Sequence, residues 1–318
     1  MIDHDFVMYF LAPWLVVLLI FAFAQLFILR ALSRNKLFRA QNYAGKTVYY
    51  GLGFIWILWG VLILALGYLY ISSHILELPT GDLAYKLLLP LVPLFANDFL
   101  FLAVPLAILC FFFGILDDLF GARGDGGFKG HIGALLHGKL TTGMGKLLGI
   151  GFTALGISAL YLISQSQSIA YGGNSPAVWG ALIAHIVLGG LAIALTANFL
   201  NLLDLRPARA GKMYLLLLCI ATIVAPKEIA TTAMLALPLM AIWSFDAGEQ
   251  AMLGDAGANP AGAVIGFYFV HILSWQWLTV YVVVMLILNL ASEKVSYSAL
   301  IERTPFLKKL DMAGRPKP

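Results

Sequence analysis

Two adjacent carboxylates, Asp117 and Asp118, close an apolar segment that reads FFFGILDDLFG. Negative charge is misplaced at a helix C-terminus, which already carries about −0.5 elementary charge. Something positive must offset it, either a metal ion or Lys and Arg side chains from elsewhere. Mg2+ is usually held by one or two carboxylates together with substrate phosphates, so the pair reads as a metal or proton-transfer site. The competing reading is a surface pair neutralised by Arg123 or Lys129. A second group, Asn198, Asn201 and Asp204, lies in TANFLNLLDLRPARAGK. At about 100° per residue, this spacing keeps the three within roughly a third of a helix circumference. Amides in an apolar span must face protein or water, as part of a site or as interhelical hydrogen bonds. Arg206 and Arg209, just beyond, can grip phosphate bidentately or simply mark the membrane surface. Asp255 lies in AMLGDAGANPAGAVIG. A Gly-Asp-x-Gly turn before an apolar helix offers a carboxylate beside free backbone N–H groups, or is merely a surface turn. Asp246 and Glu249 precede it and read as solvated.

A further stretch, GDGGFKG at 124–130, could wrap backbone N–H groups around phosphate. Lys129, His131, His137 and Lys139 are candidates for phosphate contact, and the two His are not at a metal-ligand spacing. The other ionisable groups in the spans, Asp98, His74, His185 and His271, fall by position at the opposite end from Asp117.

The elements that position these residues are membrane helices. The chain of 318 residues is 61% hydrophobic and 11% charged, with a mean hydropathy of +0.90. Soluble domains carry about 25% charged residues. A span needs roughly 20 apolar residues. The pattern predicts an all-α, polytopic membrane protein of nine to ten helices, with nine spans at about 6–29, 50–71, 97–116, 145–163, 178–200, 212–225, 229–245, 261–274 and 276–292. Residues 82–95 contain Pro90 and Pro93 and read as an interfacial or broken helix. Residues 1–292 form the membrane domain, and 293–318 a basic cytoplasmic tail.

Charge sets the orientation. Of the twenty Lys and Arg residues, all but Lys86 and Lys227 fall on one side in this topology. Cytoplasmic loops attract positive charge, so that side is the inner one, and it also holds Asp117, Asp118, Asp204 and Asp255. The acidic N-terminus, with Asp3 and Asp5, lacks the basic region of a cleavable signal and is expected outside. Net charge is +4, an excess suited to anionic lipid. The basic residues are not interleaved with aromatics, so no nucleic-acid partner is expected. Cys110 and Cys219 lie in apolar segments and form neither a disulfide framework nor a metal site.

Together, these segments resemble the polyprenyl-phosphate N-acetylhexosamine-1-phosphate transferase superfamily. Asp117-Asp118 matches its Asp-Asp pair, Asn198, Asn201 and Asp204 its Asn-x-x-Asn-x-x-Asp core, and Leu253 to Ala258 its Met-Gly-Asp-x-Gly-Ser turn. The resemblance covers about residues 40–290. It implies transfer of a phospho-sugar from a UDP-sugar to undecaprenyl phosphate with release of UMP, in a membrane enzyme that uses Mg2+, or Mn2+ in its place. By analogy, Asp255 and Asp118 would ligate metal. Asp117, Asp118 and Asp204 would be catalytic, and Asn198 and Asn201 would shape the nucleotide pocket. Apart from the analogy, Lys129, Lys139, Arg206 and Arg209 are the residues expected to contact phosphate. A homodimer is an admissible assembly. Three departures stand out. The family core continues Asp-Gly-x-Asp-Gly, but here it runs Asp204-Leu205-Arg206-Pro207-Ala208. The family's His-rich cytoplasmic loop is replaced by SEKVSYSALIERTPFLKKLDMAGR. The family's last helix has no counterpart. These departures motivate a second reading, a catalytically silent relative that scaffolds envelope synthesis. A secondary transporter ranks last, because transporter sites lie near the midplane and these acids crowd one end.

Overall fold

Among the described residues, nine long helices lie over the nine apolar segments. The computed structural model describes residues 12–43, 45–75, 98–121, 137, 141–165 and 176–315. The long helices are α1 (Ala12–Leu32), α2 (Ile55–Ile75), α3 (Phe99–Phe120), α4 (Thr142–Gln165), α5 (Pro176–Leu203), α6 (Arg209–Val224), α7 (Ile229–Ala247), α8 (Asp255–Ile272) and α9 (Trp275–Ser292). Two short helices follow, α10 (Tyr297–Arg303) and α11 (Pro305–Met312). Among the described residues, seven helices are long and apolar enough to cross a membrane; α6 and α8 are the two long helices outside that set. Helix α6 has only 16 residues. Helix α8 opens DAGANPAGA, too rich in small and polar residues for a lipid-facing span. The expected broken helix at 82–95 lies outside the described residues.

Helix α8 is the hub. An unbroken run of its residues, Ala256 to Val270, is buried, and it packs most extensively on α5 and α3. Small residues make this possible, because they let helix backbones approach closely. A Cβ on Gly262 would fall 2.4 Å from the Thr196 carbonyl oxygen, and one on Gly114 would fall 2.3 Å from that of Asp255. Around the hub, large apolar side chains point outward, among them Phe23, Phe27, Phe152 and Ile223. On a soluble domain such a surface would be an aggregation liability; in lipid it faces its own solvent. The molecule is therefore a helical membrane protein.

A small sheet supplements the helices, and the spacing of apolar residues gives no hint of it. Strands β1 (Arg39–Gln41) and β2 (Thr47–Tyr50) pair antiparallel, and β3 (Ala251–Met252) joins β2 in parallel. The strands are too short to show a period of two. Their role is positional: β3 leads directly into the turn before Asp255. Beneath the sheet, Trp56 donates to the Gly257 carbonyl at 3.0 Å and Trp59 to that of Met234 at 3.1 Å. Each buried indole N–H thus has the partner that burial demands.

Candidate functional site

Four helix ends meet at one end of the bundle: the C-termini of α3 and α5 and the N-termini of α4 and α8. Asp118 reaches from α3 to the start of α8. Its two carboxylate oxygens accept from the backbone N–H groups of Asp255 at 3.0 Å and Ala256 at 2.9 Å. The first N–H groups of a helix have no partner within it, and that end carries partial positive charge. Asp118 thus caps a helix distant in sequence. The approach requires a glycine at 254, where φ is +66° and a Cβ would lie 2.8 Å from Asp118 Oδ2. The free N–H groups expected beside Asp255 exist, but Asp118 consumes them.

Asp117 turns to Lys146. The Lys146 ammonium lies 2.8 Å from Asp117 Oδ2 and also pairs with the Asp255 carboxylate. The Asp117 carboxylate additionally accepts from the Thr142 hydroxyl and comes within hydrogen-bonding reach of the Asp255 carboxyl. The lysine is only 16% exposed, so the triad is largely removed from water. Lys146 was legible as one more inner-loop cation, but its role was missed. The available signal was a charged residue opening an otherwise apolar run, KLLGIGFTALG, a placement that favours function in a span.

Asp204 completes the group. Helix α5 ends at Leu203, and the Asp204 carboxylate accepts from the Gly254 backbone N–H. Burial, and then the nearby Asp246, Asp255 and Asp118 carboxylates, push its carboxyl well above the usual range. Asp246 was read as solvated; it is buried and accepts from the Ala208 N–H at 3.0 Å. Helix α7 runs to Ala247, which turns Asp246 toward the 204–208 turn rather than into water. Ala208 has φ +57° there, a left-handed conformation unfavourable for a residue with a Cβ. Glu249 is half-buried and accepts from the Tyr43 hydroxyl at 2.8 Å.

The remaining candidates divide. Asn198 does not join the carboxylates; its amide donates to Asn289 of α9 at 2.6 Å, the interhelical alternative. The helical spacing misled because Asp204 lies beyond the helix end, where the 100° period no longer applies. Asn201 is half-buried one turn before Asp204. Arg209 is buried, and its guanidinium is committed to Asp311 at 2.8 and 3.1 Å and to Ser298 at 2.9 Å. It is therefore not placed for phosphate. Arg206 sits over the Tyr43 ring at 4.1 Å and pairs with Glu302 at 2.8 Å. Lys129, His131 and Lys139 lie outside the described residues. A small cleft of ≈ 30 Å³ lies beside Asp204, with Tyr43, Arg206, Asp246 and Glu249 in its lining.

The expected tail is a folded strap. Helices α10 and α11 return over the turn that follows α5. Asp311 pairs with Arg209 and Arg315, and Lys212 donates to the carbonyls of Leu310 at 3.0 Å and Asp311 at 2.6 Å. Burial alone would raise the Asp311 carboxyl, but the hydrogen bonds and charge of Arg209, with Arg315 and Lys212, hold it below the usual range.

At the opposite end of α8, His271 Nδ1 meets the Tyr161 hydroxyl at 2.6 Å, and Nε2 lies 3.8 Å from Glu228. His185 lies beside Trp275 at 6.1 Å between rings. Both histidines are thus remote from the carboxylates, as their positions in the spans suggested.

The residues assigned to Mg2+ by resemblance do not present an open ligand set. The Lys146 ammonium takes the place between Asp117 and Asp255, and Asp118 spends both oxygens on backbone N–H groups. Among the described residues, no group of three or more His, Cys, Asp or Glu side chains is arranged to hold a metal ion. Among the described residues, the Lys146 ammonium leaves no place for a resident divalent cation between Asp117 and Asp255. Comparison with protein-family models, with curated proteins and with solved structures finds no match.

Proposed function

We propose that the chain transfers a phospho-sugar from a UDP-sugar to undecaprenyl phosphate in cell-envelope polysaccharide synthesis. The reaction takes place on the cytoplasmic side of a multi-pass cell-membrane protein. One observation carries this reading: Asp117, Asp118, Asp204 and Asp255, distant in sequence, gather at the single bundle end that also holds Lys146, Arg206 and Lys212. A lipid-linked phosphate and a water-soluble nucleotide can both reach such an end. The lipid phosphate oxygen attacks the β-phosphorus of the donor. A new P–O bond forms, the bond from that phosphorus to the bridging oxygen breaks, and UMP leaves with the oxygen. Asp117 accepts any proton the lipid phosphate carries. Asp118 fixes the start of α8, and so the position of Asp255. The open surface beside Asp204 and Arg206 receives the nucleotide.

A second reading has its own support. Lys146 bridges Asp117 and Asp255, backbone amides hold Asp118, and the α10–α11 strap covers the neighbouring turn. A silent relative serving as a membrane scaffold would tolerate both. Transfer of labelled phospho-sugar to undecaprenyl phosphate, across a panel of UDP-sugars, separates the two. The transferase reading expects product with the wild type and a loss of roughly 100-fold or more in Asp117→Ala. No product from any donor selects the scaffold.

A further inference from the structure

Two side chains at this end are misplaced for their own helices. Asp117 sits in the last turn of α3, where a negative charge is disfavoured, and Lys146 sits near the start of α4, where a positive one is. Neither serves its own helix; each answers the other, at 2.8 Å. Asp255 then meets the same ammonium. The register that brings them together is tight. Gly149, one turn after Lys146, lies so close to the Phe113 ring that a Cβ would fall 2.5 Å from it. Helix α4 therefore cannot slide to withdraw the lysine without displacing α3.

We propose that Lys146 is a built-in counter-cation, occupying the position between Asp117 and Asp255, the latter one of the two residues to which the resemblance would give a divalent metal. The chain holds its acidic end together with an ammonium and is closed to metal at this position. The inference rests on the transferase reading only for where a metal would go; its geometry does not depend on catalysis. An ammonium offers one charge and three donors, and it suits two carboxylates that lie within hydrogen-bonding reach of each other. A divalent ion would need water or substrate oxygens to complete its shell.

The test is Mn2+ binding to the full chain in lipid nanodiscs, followed by electron paramagnetic resonance, with no substrate present. The wild type should show no site tighter than about 1 mM. Lys146→Met should gain one, at least roughly tenfold tighter, and Mn2+ should raise its melting temperature, as binding to the folded state must. Lys146→Arg keeps a cation in place and should behave as the wild type. Adding Asp117→Asn to Lys146→Met should abolish the gained site. A micromolar Mn2+ site in the wild type overturns the proposal whatever the variants do. So does a folded Lys146→Met that gains none. Transfer activity is not the readout. A chain that excludes Mn2+ yet transfers nothing supports this inference and sinks only the transferase reading.

Discussion

Two ionic clusters share one end of the bundle, and they are balanced in opposite ways. In the strap, Asp311 is surrounded by Arg209, Arg315 and Lys212, so a single acid meets three cations. In the helix-end cluster, Lys146 faces Asp117 and Asp255, with Asp118 and Asp204 close by. Arg209 and its neighbours hold the Asp311 carboxyl below the ordinary range, while burial first, and then the neighbouring carboxylates, push Asp204 well above it. A structural lock satisfies its charges. A cluster left with surplus carboxylates holds unfavourable charge that folding alone does not require, and perturbed groups in a cleft mark candidate functional sites. The comparison therefore makes the helix-end cluster, and not the strap, the candidate for chemistry.

The largest effect that could break this contrast lies at Lys146. In Lys146→Met, two carboxylates within reach of each other lose their shared cation. The expected loss is about 3–5 kcal/mol, as for other pairs stripped of one partner away from water, read by thermal unfolding at neutral pH. A loss no larger than that of a surface lysine would put the cluster on the same footing as ordinary surface charge. Next is Asp311→Ala, which frees the strap by removing charge-assisted hydrogen bonds worth about 1.5–3 kcal/mol each. Arg209 and Arg315 are at least as buried as Lys146, so the loss should approach that at Lys146, with faster amide exchange confined to α10 and α11. Transfer activity should survive; its disappearance would move the strap into the site. Asp118→Ala should come third, at about 1–2 kcal/mol for a lost helix cap, with the amides of Asp255 and Ala256 losing protection from exchange.

The smallest effects concern pH, and they have opposite signs in the two clusters. The raised Asp204 carboxyl means that its stabilising contribution is full below the ordinary carboxylate range and lost as pH rises through its folded value. Asp204→Asn removes that loss. It should raise the melting temperature by roughly 2 °C at pH 8, and the gain should vanish toward pH 4. The lowered Asp311 carboxyl contributes above the ordinary range and loses that contribution as pH falls through its depressed value. The strap should therefore open in acid, at a pH below the ordinary carboxylate range. Melting curves and amide exchange across pH check both signs, and a common sign would erase the distinction between the clusters.

The membrane character of the helices and the gathering of Asp117, Asp118, Asp204 and Asp255 were legible because both depend on patterns within the chain: long apolar runs, and acids that end or begin them on one charge-marked side. What was not legible depends on contact. Lys146 looked like topology signalling until α3 and α4 were packed with their ends in register. Asp246 looked solvated because nothing local reveals that the Ala208 N–H waits for it. Asn198 followed the helical period away from the cluster, onto Asn289, while Asp204 escaped the period altogether. The sheet strands were too short to betray themselves.

A double-mutant cycle between Lys146→Met and Asp255→Asn, measured by thermal unfolding of the full chain in nanodiscs, probes most directly whether this end is organised around one internal ammonium. Residues in direct contact couple by about 0.5–3 kcal/mol. The expected result is a coupling in the upper half of that range, with the double variant more stable than Lys146→Met alone. Strictly additive effects, as for residues that never meet, would contradict it.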